Sequence, residues 1–156
     1  MTIRTVEVIR NEIRYGQRMA ERTARLYRRL QTFGTFSAVV AGSGTLSALI
    51  PHMPAAVPIV SGVLMTFIGA ALVAIRPADK AAANEADARR YAGLLVKYQR
   101  LGLAELDEAL REVQVACAPE IEALRNVVYN DVVTEVGQLT HRVELNRSER
   151  LIAALA

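Results

Sequence analysis

The chain has 156 residues, of which 52% are hydrophobic but only 5% aromatic, and it contains no tryptophan. A soluble core of this size usually draws on aromatic side chains, which bury a large area per residue. The 19 basic and 16 acidic residues are also segregated, because none of them occurs between Arg29 and Arg76. This segregation argues against an ordinary soluble domain and is typical of a membrane protein.

Residues 2–30 are predicted to form one helix, with Ile3, Val6, Ile9 and Ile13 on one side. Arginines recur at steps of three or four residues and form a basic stripe along this helix. The stripe consists of Arg10, Arg14, Arg18, Arg22, Arg25 and Arg29. Three interpretations remain open: the stripe binds anionic lipid headgroups, pairs with the acidic residues of the second half of the chain, or binds a nucleotide or oligonucleotide.

The uncharged tract that follows is divided by the stretch PHMPAAVP at positions 51–58. Its first half, Phe33–Ile50, and its second half, Ala55–Ile75, would be about 27 and 32 Å long as helices, close to the ~30 Å hydrocarbon core of a bilayer. Pro51 and Pro54 cannot continue a helix, so they predict a tight turn between two transmembrane helices. The alternative is a buried apolar hairpin in a soluble bundle.

Charge flanking the tract predicts the orientation of this hairpin. Residues 1–32 carry eight arginines against three glutamates, and Arg76 and Lys80 directly follow the second helix, whereas the turn carries no charge. The positive-inside bias therefore places both termini in the cytoplasm and the turn outside. The single Cys117 excludes a disulfide within the chain, which suits a reducing compartment.

Small and hydroxyl-bearing residues predict which positions of the membrane helices pack together and which would line a water-filled path. Small side chains let helix backbones approach closely in lipid. The predicted packing residues are Ser37, Ala41, Gly44 and Ala48 in the first helix, with Gly62 and Gly69 in the second. The hydroxyls of Ser43, Thr45, Ser47 and Thr66 either bond back to their own helix or line a water-filled path. Two helices cannot enclose a pore, so conduction would require a homo-oligomer, with a tetramer favoured.

The second half of the chain is predicted to be a helical bundle. Ala88, Tyr91, Leu94 or Leu95, Tyr98 and Leu101 form an apolar seam. Gly102 would bend or end this helix, Pro119 would open another that runs to Leu139, and residues 146–156 would form a short capping helix. The predicted fold is therefore an all-α membrane protein with a basic helix at 1–32, a transmembrane hairpin at 33–75 and a cytoplasmic bundle at 76–156.

No catalytic or metal-binding pattern is present in the sequence. The two histidines, His52 and His141, are predicted to lie on opposite sides of the membrane, which excludes a two-histidine metal site within one chain. Cys117 falls in an apolar seam, where a thiol is more often part of a core than a nucleophile. We therefore expect neither enzymatic activity nor a bound cofactor.

The turn PHMP and the segment PADKAAANEADARRYAGLLVKYQRL after the second apolar helix give the chain a layout that resembles the SLATT family. These are two-transmembrane effectors associated with nucleotide-making or nucleotide-sensing proteins in prokaryotic defence. The resemblance implies a pore in the prokaryotic inner membrane, gated by a nucleotide or oligonucleotide from a partner nucleotidyltransferase or sensor. Its opening would depolarise the membrane and arrest growth. The alternatives are a membrane-anchored helical scaffold that does not conduct and a holin-like lysis protein.

Overall fold

A computed structural model describes residues 5–156, so Ile3 of the predicted first helix lies outside the described residues. Six α-helices occur in this range: α1 Val6–Leu46, α2 Ala56–Ile75, α3 Pro77–Lys97, α4 Leu103–Ala116, α5 Arg125–Glu135 and α6 Arg147–Leu155. Short 3-10 turns occupy Ser47–Leu49, Glu122–Leu124 and Leu139–His141. Residues 5–156 contain no strand, which confirms the all-helical prediction.

Helix α1 is one continuous element where the sequence predicted two. The boundary was predicted from the loss of charge after Arg29, but no proline or turn sequence interrupts the backbone there. The helix also ends at Leu46 rather than at the predicted Ile50. Ile50 has an extended backbone, with φ −90° and ψ 122°, because the residue before a proline is disfavoured in the helical region.

A short turn joins α1 to α2, as PHMP predicted. The Met53 N–H donates to the Ile50 carbonyl at 3.3 Å, and His52 has a left-handed backbone with φ 68°. Pro58 lies in the first turn of α2, where its missing N–H costs little. Helix α2 ends abruptly, because the backbone of Arg76 is left-handed, with φ 51°. Helix α3 begins at the next residue, Pro77.

The chain separates into two compact units. The hairpin unit is Tyr27–Asp79, and the helical unit comprises the described residues up to Leu26 together with Lys80–Ala156. The sequence predicted domain boundaries at residues 32 and 75, whereas the hairpin unit begins at Tyr27 and ends at Asp79. The N-terminal half of α1 therefore belongs to the same unit as the second half of the chain.

Two apolar clusters form the core of the helical unit. The first joins α1, α3 and α4 through Ile9, Ile13, Tyr91, Leu94, Leu106 and Leu110. The second joins α1, α5 and the C-terminus through Met19, Leu124, Val128 and Ala156. The Tyr91 ring lies against α1 at Gly16, where a Cβ atom would stand 2.5 Å from the ring, so only glycine fits there. The predicted seam at Tyr91 and Leu94 is thus part of this core.

The C-terminal elements are held by specific polar contacts. Gly102 precedes α4, where its N–H donates to the Glu105 carboxylate at 3.1 Å, so this glycine separates two helices rather than bending one. Helix α5 ends at Glu135, before the predicted Leu139, and Gly137 follows with φ 79°. The predicted capping helix is confirmed as α6, which begins after the N-cap Asn146.

Candidate membrane hairpin and ligand cavity

Helices α1 and α2 pack closely within the hairpin unit. A Cβ atom on Gly44 would stand 2.1 Å from Ser61 Oγ and 2.7 Å from Ser61 Cβ. At Gly34 the same atom would stand 2.6 Å from Leu72 Cδ2. At Gly44 a side chain would meet the Ser61 Cβ atom, so the close approach of the two helices there depends on glycine. At Gly34 the near atoms are the end of the Leu72 side chain, which can move.

The predicted packing residues differ in their burial and in their contacts with the other helix. Ala41 is buried and Ser37 half-buried. Gly62 lies beside Thr45, whose Cγ2 atom would be 3.6 Å from a Cβ at position 62. Ala48 is exposed in the 3-10 turn, and a Cβ on Gly69 would meet nothing within 4 Å.

Gly34 was not among the predicted packing residues, although it also contacts α2, at Leu72. The signal that could have found it was its small size at the start of the uncharged tract. Its partner Leu72 lies far along the chain, so the contact follows only from the antiparallel pairing of the two helices.

The outer surface of the hairpin unit is apolar. Helix α2 contains no buried residue, and side chains such as Phe67 and Val73 are 71% and 78% exposed. One helical stretch among the described residues, within Ala56–Lys97, is long and apolar enough to cross a membrane, with a mean hydropathy of 2.2. The uncharged part of α1, Leu30–Leu46, is about 26 Å long and rich in Gly, Ser and Thr, so it is less apolar.

The four predicted pore-lining hydroxyls all bond within their own helix. Each donates to a carbonyl three or four residues earlier: Ser43 to Val39 (3.0 Å), Thr45 to Gly42 (2.6 Å), Ser47 to Gly44 (2.6 Å) and Thr66 to Gly62 (2.9 Å). Ser47 is buried, Thr45 is half-buried, and Ser43 and Thr66 are exposed. An exposed hydroxyl that donates to its helix still has lone pairs that accept from water.

Two arginines of the basic stripe pair with acidic residues of α5. Arg22 Nε donates to Asp131 Oδ2 at 2.9 Å, and its Nη2 donates to the other carboxylate oxygen at 3.1 Å. Arg18 forms an ion pair with Glu135, which raises the pKa of Arg18. Both contacts match the interpretation in which the stripe pairs with the second half of the chain.

The other stripe residues have different surroundings. Arg10 stacks over the Tyr98 ring, with 5.3 Å between the guanidinium carbon and the ring centroid. Arg14 lines a cavity of 400 Å³ with Arg18 and Glu135. Arg25 donates to the Glu21 carbonyl at 3.4 Å, and Arg29 is exposed within the hairpin unit.

A larger cavity of 620 Å³ lies in the helical unit, between the first half of α1, α3 and α5. Sequence reasoning did not find it, because its walls come from segments far apart in the chain. Its charged lining residues are Glu12, Asp87, Glu120 and Arg125. Thr23 also lines it, and the Oγ1 atom of this buried residue is the one buried side-chain polar atom among residues 5–156 that has no hydrogen-bond partner.

Burial at this cavity shifts the pKa of three side chains. It raises the pKa of Tyr15, with a further contribution from Glu120 and an opposing hydrogen bond from Arg125. It also raises the pKa of Tyr91 and of the Cys117 thiol, which lies between Tyr91 and Asp87.

Within residues 5–156, no group of three or more His, Cys, Asp and Glu side chains could hold a metal ion. Comparison with known proteins adds no relative, because no family model, curated protein or solved structure matches the chain. Residues 5–156 thus form an all-helical structure with one helical stretch long and apolar enough to span a membrane, and with a cavity in the helical unit.

Proposed function

We propose that this protein is a pore-forming membrane effector, built from several copies of the chain in a prokaryotic inner membrane, with both termini in the cytoplasm. The observation that carries this proposal is the hairpin unit, in which α1 and α2 pack on each other while their remaining apolar surface is exposed. Such a surface is stable in lipid or against another hairpin, and not in water.

Uncovered small residues on α2 support self-association. Gly69 has open space where a side chain would be, and Thr66 is exposed one turn earlier. Small residues in helices allow the close approach on which packing in lipid depends. A second copy packed at Gly69 would extend the hairpin into a ring, in which Ser43 or Thr66 could face water.

Gating is proposed to act through the arginine stripe. Arg18 and Arg22 are held by Glu135 and Asp131, so a nucleotide or oligonucleotide phosphate would compete with these carboxylates for the guanidinium groups. Its binding would release α5 from α1. The SLATT resemblance implies the same regulator class, and depolarisation followed by growth arrest as the outcome.

The test is expression in bacteria with a membrane-potential dye. Ser43→Leu fills a proposed wet position with an apolar side chain, and we expect it to abolish depolarisation. Val73→Leu is the control, since Val73 is an exposed apolar residue of α2 outside the proposed wet positions, and it should leave depolarisation unchanged at equal membrane abundance. If the Ser43→Leu protein depolarises cells as much as the unsubstituted protein does, Ser43 does not line the path.

The second candidate is a membrane-anchored helical scaffold. Its support is that all four predicted lining hydroxyls are already bonded within their helices. A scaffold would insert and bind its partner without depolarising cells, and neither substitution would change its behaviour.

A further inference from the structure

The hairpin unit carries charged side chains only near its two chain ends, since residues 30–75 contain no Asp, Glu, Lys or Arg. They are Arg28, Arg29, Arg76 and Asp79. The two helices are antiparallel, and Gly34 of α1 lies against Leu72 of α2. Both N-terminal arginines come about one and a half helical turns before Gly34, and Arg76 comes about one turn after Leu72. The three arginines therefore lie at the same end of the unit, opposite the turn, and form its basic end.

Exposed apolar side chains begin directly beside the basic end. Phe33 is 70% exposed about one turn after Arg29, and Ile75 is 39% exposed next to Arg76. From there α2, which has no buried residue, extends back to the turn over 20 residues, about 30 Å. A ligand that meets both surfaces has an anionic group joined to long apolar chains. A phospholipid has this chemistry, because its phosphate lies at the edge of the ~30 Å hydrocarbon core.

The backbone of Arg76 gives a separate sign that its side chain is used. Its φ of 51° and ψ of 55° are left-handed, at the position after a helix where glycine is most common. Arginine rarely adopts this conformation, because its Cβ atom is crowded there, whereas glycine adopts it freely. The arginine side chain therefore disfavours the backbone that it occupies. A residue of this kind is expected where its side chain has a role of its own.

The guanidinium of Arg76 remains accessible to a ligand. It pairs with Asp79, with 2.5 Å between Nη2 and Oδ2, but the two side chains are 73% and 61% exposed. An exposed ion pair is weak, and a guanidinium has several N–H donors, so donors remain for a phosphate. Arg28 and Arg29 are exposed as well. With one carboxylate beside three guanidinium groups, the basic end attracts anions.

We infer that the basic end of the hairpin unit binds the headgroup of an anionic phospholipid in preference to a zwitterionic one. Arg28 and Arg29 would contact headgroups beside α1, and Arg76 would contact headgroups beside α2. A guanidinium can donate two parallel N–H bonds to one phosphate. A zwitterionic headgroup carries its own cation, which these arginines repel, whereas an anionic headgroup carries none. The inference rests on insertion of the hairpin in a bilayer, which is part of the proposed function, and not on conduction.

The experiment is native mass spectrometry of the purified full-length protein, released from detergent micelles that contain equal amounts of two lipids. These are phosphatidylglycerol and phosphatidylcholine with the same acyl chains, so the ratio of the two bound lipids measures headgroup preference alone. We expect bound phosphatidylglycerol to be in excess. A Lys or Arg near an anionic surface strengthens binding about fivefold, so Arg28→Gln and Arg76→Gly should each lower the ratio about fivefold.

Arg111→Gln is the matched control. Arg111 lies in α4, its side chain is 69% exposed, and it pairs with Asp107 one turn away, as Arg76 pairs with Asp79. Its replacement removes the same charge from the helical unit and should leave the lipid ratio unchanged. Arg76→Gly also carries its own folding control. Because glycine adopts the left-handed backbone freely, the melting temperature of this variant should stay unchanged or rise.

Equal binding of the two lipids by the unsubstituted protein would overturn the inference, as would a loss of preference in Arg111→Gln as large as that in Arg76→Gly. Added ATP should not displace bound phosphatidylglycerol, and displacement would show that these arginines bind a free phosphate compound instead. The outcome is separate from that of the pore. A protein that conducts in liposomes but binds both lipids equally refutes only the headgroup site, and one that prefers phosphatidylglycerol without conducting refutes only the pore.

Discussion

Replacement of Gly44 by alanine tests the close contact between α1 and α2. A Cβ atom at this position would stand 2.1 Å from Ser61 Oγ and 2.7 Å from Ser61 Cβ. The hydroxyl could rotate away, but the Cβ atom cannot, so the helices must separate. Overpacking of this kind costs about 1–3 kcal/mol. Alanine gains about 0.5–1 kcal/mol over glycine within a helix, so we expect a net loss of up to roughly 2.5 kcal/mol, and about 1 kcal/mol at mid-range, in helix pairing.

Gly69→Ala is the matched control within the same hairpin. A Cβ atom at position 69 would meet nothing within 4 Å, so this change should leave the pairing of α1 with α2 intact. The assay is disulfide formation between Thr45→Cys and Gly62→Cys in a Cys117→Ser background, since these positions are adjacent across the two helices. Gly44→Ala should slow the cross-link and Gly69→Ala should not.

Equal cross-linking rates in the two glycine variants would refute the reasoning, because they would mean that the Gly44 contact does not hold α1 against α2. The same pair of variants also bears on assembly. If a second copy packs at Gly69, chemical cross-linking in membranes should give fewer oligomers with Gly69→Ala while the intrachain disulfide still forms at its normal rate.

Three further predictions concern the helical unit. Leu110→Ala, at a fully buried position, should destabilise the unit by about 2–5 kcal/mol in denaturant unfolding, and a loss below 1 kcal/mol would contradict the described core. Asn130→Ala removes an amide that donates to the Val143 carbonyl and accepts from the Val143 N–H, both at 2.8 Å, so proteolysis between Gln138 and Asn146 should accelerate. An unchanged cleavage rate would show that this contact does not hold the segment. Burial raises the pKa of Cys117 in the folded state, so its contribution to stability is complete below about pH 8.5 and is lost as pH rises through the folded pKa. Melting temperatures from pH 7 to 10 should therefore fall less in Cys117→Ser, and parallel curves would contradict the shift.

The sequence predicted the helices of the second half of the chain in part. The helix predicted to run from Pro119 to Leu139 is α5, which begins only at Arg125 and ends at Glu135, because residues 118–121 are not helical. Tyr91 and Leu94 are buried as their spacing predicted, and Asn146 caps α6. The predicted division at residue 32 marks a change in charge and not a helix end, because α1 continues through it to Leu46. The charge of a segment indicates whether it lies in water or in lipid, whereas proline, glycine and capping residues determine where a helix ends.

The contacts that define the candidate sites could not be predicted from periodicity. Arg22 and Asp131 are more than a hundred residues apart in the chain, and many other acidic residues offered the stripe an equally suitable partner. Thr23 shows no signal in the sequence, since a threonine in a helix normally bonds to its own backbone. Only the packing of α1 against α3 and α5 shows that its hydroxyl is buried without a partner.

Ion flux from liposomes that contain the purified full-length protein tests the central proposal most directly. The account predicts flux from protein that is inserted and oligomeric, changed by an added nucleotide or oligonucleotide and abolished by Ser43→Leu but not by Val73→Leu. Absence of flux under every condition, from protein shown to be inserted and oligomeric, would contradict the pore and favour the membrane-anchored scaffold.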